Sequence, residues 1–514
     1  MTPPRPTRYL PALLCCLLLL PSGASAQDGG IVQKLYETAL QLLRGGKSDE
    51  ALKGFEQIYD SYGSAPQAPD ALYQAASFHY PVTNPDEIGN TSRDNIQKSS
   101  ALLERIRKHY GGSARAPEAL YKTGLLALEP ENPKYSPDEA YAAFTAVANV
   151  YPNSPLVGDA LYGAALSQMR SGAYDAALED FARLLEQVPS FPGAARARLD
   201  YAYSLYRTGD YPRAMEEYQK VRDLYPAKPE AQAAKEKLTL LHRLRLIPAT
   251  GRSVAYAPDP SFAGRLETLG LRSVGSMAIG PDGGLLVADG KQGLAVMIDP
   301  KGRPSGKIAF PDAESAAMDR RGGPVVAGAG NLLSANKQQP LVRSDSTPPR
   351  PVRETTGVGV DRDGRIYVGD AKTGEVLLFG RGLDFRTSTY RSAGGKLGSI
   401  RVGFDNQLYV LDTRDRSVTV LQAGKTMSRI RVGDAPASLS EPADFAVDEL
   451  GDLYVADPGT SRVMVLDPSG KKILATLGPD RGKGGIAAPE RIEVDRQGRI
   501  YVYDRKADAI LRYQ

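Results

Sequence analysis

Five aspartates stand at one place in a repeated stretch of the chain: Asp289, Asp370, Asp412, Asp457 and Asp504 each close a short apolar run. Such a column could ring a metal or a polar ligand. Repetition at one strand-end position favours a plainer role, in which each carboxylate accepts backbone N–H bonds in its own turn. Arg365, Arg462, Arg491 and Arg499 could line a surface for an anion, although exposed arginines that only solvate a face are the commoner case. The three histidines, His79, His109 and His242, all precede this stretch, and the two cysteines, Cys15 and Cys16, lie near the N-terminus. The aspartate-bearing stretch therefore offers no imidazole and no thiolate, which excludes a Ser-His-Asp triad, a cysteine nucleophile and a His/Cys zinc site within it. Only a carboxylate pair could do acid–base work there, and spacing alone does not place two carboxylates at the required separation. No catalytic residue, metal ligand or cofactor is expected.

The elements that position these residues begin with the N-terminus. Arg5 and Arg8, an apolar run from Tyr9 to Leu20, and Ala24-Ser25-Ala26 before Gln27 have the three-part form of a secretory signal, with cleavage expected after Ala26. The run is short of the roughly 20 residues that span a bilayer as a helix, and no later segment approaches that length. Leu14 before Cys15 and four leucines after Cys16 do not fit a lipid-attachment site. The expected location is outside the cytoplasm, periplasmic or extracellular, and the chain past residue 26 has no cysteine for a disulfide. At 514 residues, 42% hydrophobic and 24% charged, the chain is long enough for two or more soluble domains. Lys plus Arg number 64 against 60 Asp plus Glu, with no long basic run, so charge gives no case for nucleic acid.

From Ile31 to about Leu246, helix-period segments alternate with Gly, Pro and Ser breaks. Ala140, Ala177 and Ala214 recur every 37 residues, and so do Phe144, Phe181 and Tyr218, and Pro152, Pro189 and Pro226. A second motif, Ala71-Leu72-Tyr73, Ala119-Leu120-Tyr121 and Ala160-Leu161-Tyr162, continues through Ala197 and Ala234 in the same register. Two motifs in one register imply a repeated helix–turn–helix unit, in which alanines let helices approach and the aromatic fills the gap. Ser154-Pro155 supplies a helix start, and Gly172 and Gly209 sit in tight turns. Asn90-Thr91-Ser92 fits a glycosylation sequon but reads better as a capping stretch. These residues resemble the tetratricopeptide repeat (TPR), in the style of periplasmic members such as the Tol-Pal coordinator and the β-barrel assembly lipoprotein.

After Pro248 the period changes to short alternating strands. Val360-Asp361-Arg362-Asp363-Gly364-Arg365-Ile366-Tyr367-Val368-Gly369-Asp370 recurs as Val447 to Asp457 and Val494 to Asp504, with further copies at Ile279 to Asp289 and Val402 to Asp412 and a degenerate one from Met318 to Gly328. Each reads as strand, Asp/Gly turn, strand, and a third strand follows each good copy. Repeats of about 40 residues with several strands imply propeller blades. The pattern resembles the NHL repeat over residues 259–514; YWTD propellers would carry a tryptophan in the strand motif, and the chain has none. NHL-like lyases depend on propeller histidines, which are missing here. RNA binding, known for some NHL proteins, finds no interleaving of aromatic and basic residues.

The expected architecture is multidomain, α plus all-β: a signal peptide at 1–26, an α-solenoid of TPR-like helix pairs at 27–246, a linker at 247–258, and a six-bladed β-propeller at 259–514. Leu266-Glu267-Thr268-Leu269-Gly270 echoes Leu474-Ala475-Thr476-Leu477-Gly478, so residues 262–270 are expected to supply the outer strand missing from the sixth blade. The proline-rich stretch Asn331 to Thr356 argues against regular strands, with Ser344 to Pro351 expected as an exposed loop. The function implied is a non-catalytic scaffold for protein or peptide partners in the cell envelope, bound through a TPR groove and a propeller face. Candidate contacts are Tyr73, Tyr121 and Tyr162 and the loop arginines Arg343, Arg350 and Arg353. The alternative is a carboxylate-dependent hydrolase or lyase acting on an envelope substrate in the propeller funnel.

Overall fold

The alanines and aromatics that recur at fixed spacing are the contact points of packed helices. Ala140, Ala177 and Ala214, with Phe144, Phe181 and Tyr218, are all fully buried. The Phe144 ring lies so close to Gly163 that a β-carbon there would sit 2.9 Å from it. A side chain at that position would push the two helices apart.

The computed structural model describes residues 26–89, 91–246, 256–262, 264–478 and 485–514. The expected signal segment ahead of Ala26 and most of the expected linker, residues 247–255, lie outside the described residues. Among the described residues, eleven α-helices come first: α1 (Ala26–Arg44), α2 (Ser48–Ser61), α3 (Ala68–His79), α4 (Arg93–His109), α5 (Ala116–Ala127), α6 (Pro137–Val150), α7 (Val157–Ser171), α8 (Tyr174–Gln187), α9 (Ala194–Arg207), α10 (Tyr211–Leu224) and α11 (Pro229–Leu241). Ser92 caps α4 by accepting the Asn95 N–H at 3.4 Å. Gly172 and Gly209 take φ of +81° and +90° in the turns that follow α7 and α9. Among the described residues, no helix is long and apolar enough to cross a membrane.

Antiparallel sheets then form six blades. These are β1 (Ser276–Ile279), β2 (Leu285–Asp289), β3 (Leu294–Ile298) and β4 (Pro304–Ala309); β5 (Ser315–Met318), β6 (Pro324–Gly328), β7 (Asn331–Ser334) and β8 (Lys337–Pro340), followed by a two-stranded hairpin of β9 (Val342–Arg343) and β10 (Arg350–Pro351). The third and fourth blades are β11 (Thr355–Val360), β12 (Ile366–Asp370), β13 (Glu375–Phe379) and β14 (Phe385–Arg391), and β15 (Leu397–Val402), β16 (Leu408–Asp412), β17 (Ser417–Gln422) and β18 (Lys425–Arg431). The last two are β19 (Asp444–Val447), β20 (Leu453–Asp457), β21 (Arg462–Leu466) and β22 (Ile473–Leu477), and the three strands β23 (Pro489–Val494), β24 (Ile500–Asp504) and β25 (Ala509–Tyr513). The strands that end in the aspartate column, β2, β12, β16, β20 and β24, are buried at every residue. Covered on both faces by neighbouring blades, they read as near-continuous apolar runs.

The ring closes where β23 meets β1, and the chain leading into the first blade covers the outer edge of the sixth. Ala257 and Gln514 exchange both backbone bonds at 3.0 Å, Asp259 N–H donates to the Arg512 carbonyl at 2.8 Å, and Ile510 N–H donates to the Gly264 carbonyl at 2.7 Å. A β-carbon on Gly264 would lie 1.7 Å from the Ile510 oxygen, so glycine is required there. Two details correct the sequence expectation. Leu266–Leu269 is a helical turn, α12, and not a strand, because Gly270 at φ +69° terminates it and Leu271 N–H returns to the Leu266 carbonyl at 2.9 Å. The edge is covered instead by residues 257–259 and 264–266, through bridges Pro258–Tyr513 and Arg265–Ala509. In the second blade, residues 331–340 are regular strands despite the nearby prolines, while residues 344–349 are the tip of an exposed hairpin, Ser346 only partly so.

By packing, the chain divides into two compact units: residues Met1–Tyr135 with Ala146–Val157, and Ser136–Thr145 with Gly158–Gln514. The first has its own core, with Val32, Ala39, Phe55, Ile58 and Ala71 buried together. The second contains α8 to α11 as well as every blade. Within it Leu244, in the turn after α11, is buried in one cluster with Ala446, Tyr454, Val463 and Val502 of the fifth and sixth blades.

Closure rests on a buried ion pair: Arg512 holds Asp259 at 2.6 Å, with side chains 6% and 7% exposed. Arg512→Leu strands the Asp259 charge and should cost about 3–5 kcal/mol in denaturant unfolding, part of which Asp259→Asn in the same chain restores. A change below about 0.5 kcal/mol would mean that this edge does not hold the ring.

Candidate binding site at the propeller mouth

Two sets of aspartates position the loops at the two ends of the blades. The strand-end column serves as backbone acceptors. Asp457 takes N–H bonds from Ser440 at 2.9 Å, Glu441 at 2.8 Å and Gly459 at 3.1 Å, and Asp504 takes them from Ala487, Ala488, Lys506 and Ala507 at 2.5–3.1 Å. Asp289 and Asp412 do the same, and these donors hold both carboxyls below the usual range even though burial opposes it. Each of these four carboxylates thus pins the loop entering its blade to the turn leaving its second strand, while Asp370 binds its own turn, through Lys372 and Thr373. The second blade has Gly328 at this place, where a β-carbon would lie 1.7 Å from the Asp312 carbonyl, and so its motif is degenerate.

At the opposite end, Asp319, Asp361, Asp448 and Asp495 fold back on their own hairpins. Asp361, for example, accepts from Asp363 N–H at 3.0 Å and Arg365 N–H at 2.8 Å. Arg365 and Arg499 close these same turns, on Asp361 at 2.6 Å and Asp495 at 2.5 Å, and Arg491 donates to the Gly275 carbonyl at 2.5 Å. Three of the four arginines singled out from the sequence therefore hold structure, and Arg462 is exposed.

The helices of the second unit dock on these hairpin turns through buried polar contacts. Asp405 accepts from Arg207 at 2.8 Å, from the Tyr203 hydroxyl at 3.1 Å and from the Tyr174 hydroxyl. Asp452 accepts from Arg245 at 2.6 Å and from Tyr206 at 2.8 Å. Arg170 pairs with Asp363 at 3.2 Å, and Lys237 reaches the Glu449 carboxylate at 3.2 Å and its carbonyl at 3.0 Å. Burial drives the Tyr174, Tyr203 and Tyr206 hydroxyls well above their ordinary range, so all three remain donors.

Beneath α9 and α11 the central channel holds a cavity of about 530 Å3. Its rim is one register position repeated, the residue after each turn aspartate or its equivalent: Pro281, Arg320, Arg362, Phe404, Glu449 and Arg496. Deeper, Ala278, Ala317, Gly359, Arg401, Ala446 and Glu493 share another register, opposite Leu286, Val325, Tyr367, Tyr409, Tyr454 and Tyr501. Four of these six are small, and the other two pair: Arg401 donates to Glu493 at 2.9 Å and to Asp444 at 3.3 Å. Burial, with the Asp444 charge adding to it and Arg401 opposing it, raises the Glu493 carboxyl to about 7. Among the described residues, no group of three or more His, Cys, Asp or Glu is arranged to hold a metal ion.

The partner candidates chosen from the sequence are dispersed. Tyr121 and Tyr162 are buried, Tyr162 donating to Asp200 at 2.9 Å, and Tyr73 is half-buried under Arg115 at 5.0 Å. These are packing roles. Arg343 is held by Glu375 and by Asp345, the latter at 2.7 Å, whereas Arg350 and Arg353 are exposed. The residues that sequence reasoning passed over are Arg320, Arg362, Arg401 and Glu493. Aligning the position after each turn aspartate would have found the first two.

Residues 136–190 and 162–229 match the tetratricopeptide repeat family. No curated protein sequence matches the chain. Solved structures similar to it include a gluconolactonase from Xanthomonas campestris (15% identity, 51% of this chain and 97% of that one, TM-score 0.38). A virginiamycin B lyase from Staphylococcus aureus (12%, 46% and 79%, 0.35) and the Kuenenia stuttgartiensis hydrazine synthase (12%, 47% and 95%, 0.36) are also similar.

Two outcomes follow from this geometry. Asp405→Ala leaves Arg207 buried without its anion and should lower unfolding stability by about 3–5 kcal/mol, with Arg207→Met in the same chain recovering part of the loss; additive losses would contradict the pairing. The second concerns pH. Glu493 binds its proton more tightly folded than unfolded, so protonation stabilises the fold below the ordinary value of 4.5, and this contribution is lost as pH rises through about 7. The melting temperature of the wild-type chain relative to Glu493→Gln should therefore fall across that window, and a constant difference would refute the assignment.

Proposed function

We propose that this chain is an exported scaffold that binds protein partners in the cell envelope through the surfaces of its helical repeats and its propeller. A helical array with tetratricopeptide repeats joined to a propeller is a protein-interaction architecture. The observation that carries the reading is how the propeller's acids are used. The strand-end column is spent on backbone donors, the turn aspartates on their own hairpins and on the docked helices, and Asp444 and Glu493 share Arg401. Acids committed in this way build a rigid platform, whereas a hydrolase or lyase needs a carboxylate that can change partners during turnover. Export rests on Arg5, Arg8, the apolar run and Ala24-Ser25-Ala26.

The exposed β9–β10 hairpin, with Arg350 in its second strand and Arg353 just beyond, is the propeller feature best presented to a partner. Photo-crosslinking residues placed in the hairpin tip and on exposed helical positions of the full chain, in its native host, test the reading. The expected result is a discrete crosslinked partner from one of these surfaces, a mature N-terminus at Gln27, and an unchanged melting temperature when residues 345–349 are replaced by Gly-Ser-Gly. Absence of any discrete adduct, together with turnover of an envelope substrate by the purified chain, would favour the enzymatic alternative.

A further inference from the structure

The rim of the propeller mouth carries charge that the fold does not use. Arg320 and Arg362 stand at equivalent places on adjacent blades, the second and third. The neighbouring acids are engaged. Asp319 accepts from Arg321 and Gly323 N–H at 2.8 Å and 2.7 Å, Asp361 is held by Arg365, and Glu449 lies between Lys237 at 3.2 Å and Arg496 at 3.6 Å. Arg196 enters the same cavity from α9 and holds Asp200 at 2.9 Å. Neither Arg320 nor Arg362 has a carboxylate partner within ion-pair distance among the described residues.

Arg362 is also pre-oriented. Its guanidinium lies over the Phe404 ring at 4.3 Å, and one nitrogen donates to the Phe404 carbonyl at 3.1 Å, which fixes the plane of the group and leaves its other donors available. Burial, reinforced by the charges of Arg196 and Arg320 and offset only in part by Asp200 and Glu449, pulls Arg362 down to about 10. An arginine placed among arginines at the edge of a cavity costs stability unless an anion completes it. Arg320 is exposed, so the cavity opens to solvent on the side of the second blade. The helical contacts described above fall on turns of the third to fifth blades, Arg243 adds one on the sixth by donating to the Gly498 carbonyl at 2.9 Å, and α11 adds Glu230 and Glu236 to the cavity wall. Those two acids favour an anion seated toward Arg320 and Arg362 rather than against α11.

We propose that the propeller mouth binds a small polyvalent anion, phosphorylated or multiply carboxylated, held between Arg320 and Arg362 with Arg196 above it. Two adjacent guanidinium groups match the oxygens of such a group in a paired, charge-assisted geometry. The site is independent of the scaffold reading: a scaffold could be regulated through it, and an enzyme could use it to hold substrate.

Isothermal titration calorimetry on the full chain with pyrophosphate and with citrate tests the site. Saturable one-site binding of either is expected, and the tighter of the two identifies phosphoryl or carboxylate as the preferred chemistry. Arg320→Glu, at an exposed position, should keep the melting temperature and weaken binding about ten-fold or more. Arg362→Lys should weaken it as well by removing the planar fork, whereas Arg462→Glu, beside Asp457 at the opposite end of the blades, should leave it unchanged. The proposal is overturned if neither anion binds saturably, if Arg320→Glu binds like wild type, or if only an acidic peptide such as hexa-aspartate binds.

Discussion

The buried pair of Arg207 and Asp405 is the contact on which the second unit depends most. Asp405 lies in the tight turn between the first two strands of the fourth blade, and Arg207 ends a helix nearly two hundred residues earlier. Burying such a pair is not a source of large net stability, since desolvation cancels much of the attraction. Its value is specificity. A hairpin turn that presents a carboxylate, met by an arginine and two tyrosine hydroxyls, accepts the helices in one placement, because any shift leaves a buried charge without its partner. Asp452 with Arg245 and Tyr206 repeats the device one blade further on.

This use of acids explains the character of the propeller. The blades are related by repeated turns that need aspartate to hold the backbone, so the ring is bound to be rich in carboxylates. Those at strand ends accept backbone donors, those in the turns serve their own hairpins or the helices, and those in the channel share Arg401. Burial next to Asp452 still pushes Asp448 up, so some of this acidity is stored at a cost. Among the described residues, Arg320 and Arg362 on the rim have no carboxylate within ion-pair distance, and the chemistry left to the molecule is concentrated there.

Much of the fold was legible in the sequence because both halves repeat. Alanines and aromatics at constant spacing marked helix pairs, and the Asp-x-x-Gly turns followed by Tyr-Val-x-Asp strands marked blades. The structural role of the strand-end aspartates could be argued from their repetition alone. Where the reading departed from the structure, local letters had two solutions. Leu266 to Gly270 copies Leu474 to Gly478, yet it forms a capped helical turn because the preceding residues 257–259 and 264–265 already occupy the edge. The prolines near residue 340 sit at strand ends and in the hairpin, where no ladder N–H is needed. The packing that makes a helix-pair aromatic recur also buries Tyr121 and Tyr162 and half-buries Tyr73. The ion pairs between helices and turns were not legible at all, since nothing local in Arg207 or Asp405 announces a partner so far along the chain.

The central claim is that α8 to α11 and the propeller fold and open as one cooperative body, held by these turn contacts. Native-state hydrogen exchange on the full chain tests it directly. The account predicts that the slowest amides of α9 and α11 share a single opening free energy with those of β16 and β20, and that Asp405→Ala lowers all four together. Helical amides that exchange far faster than the blade amides, and a substitution that moves the helices alone, would contradict it.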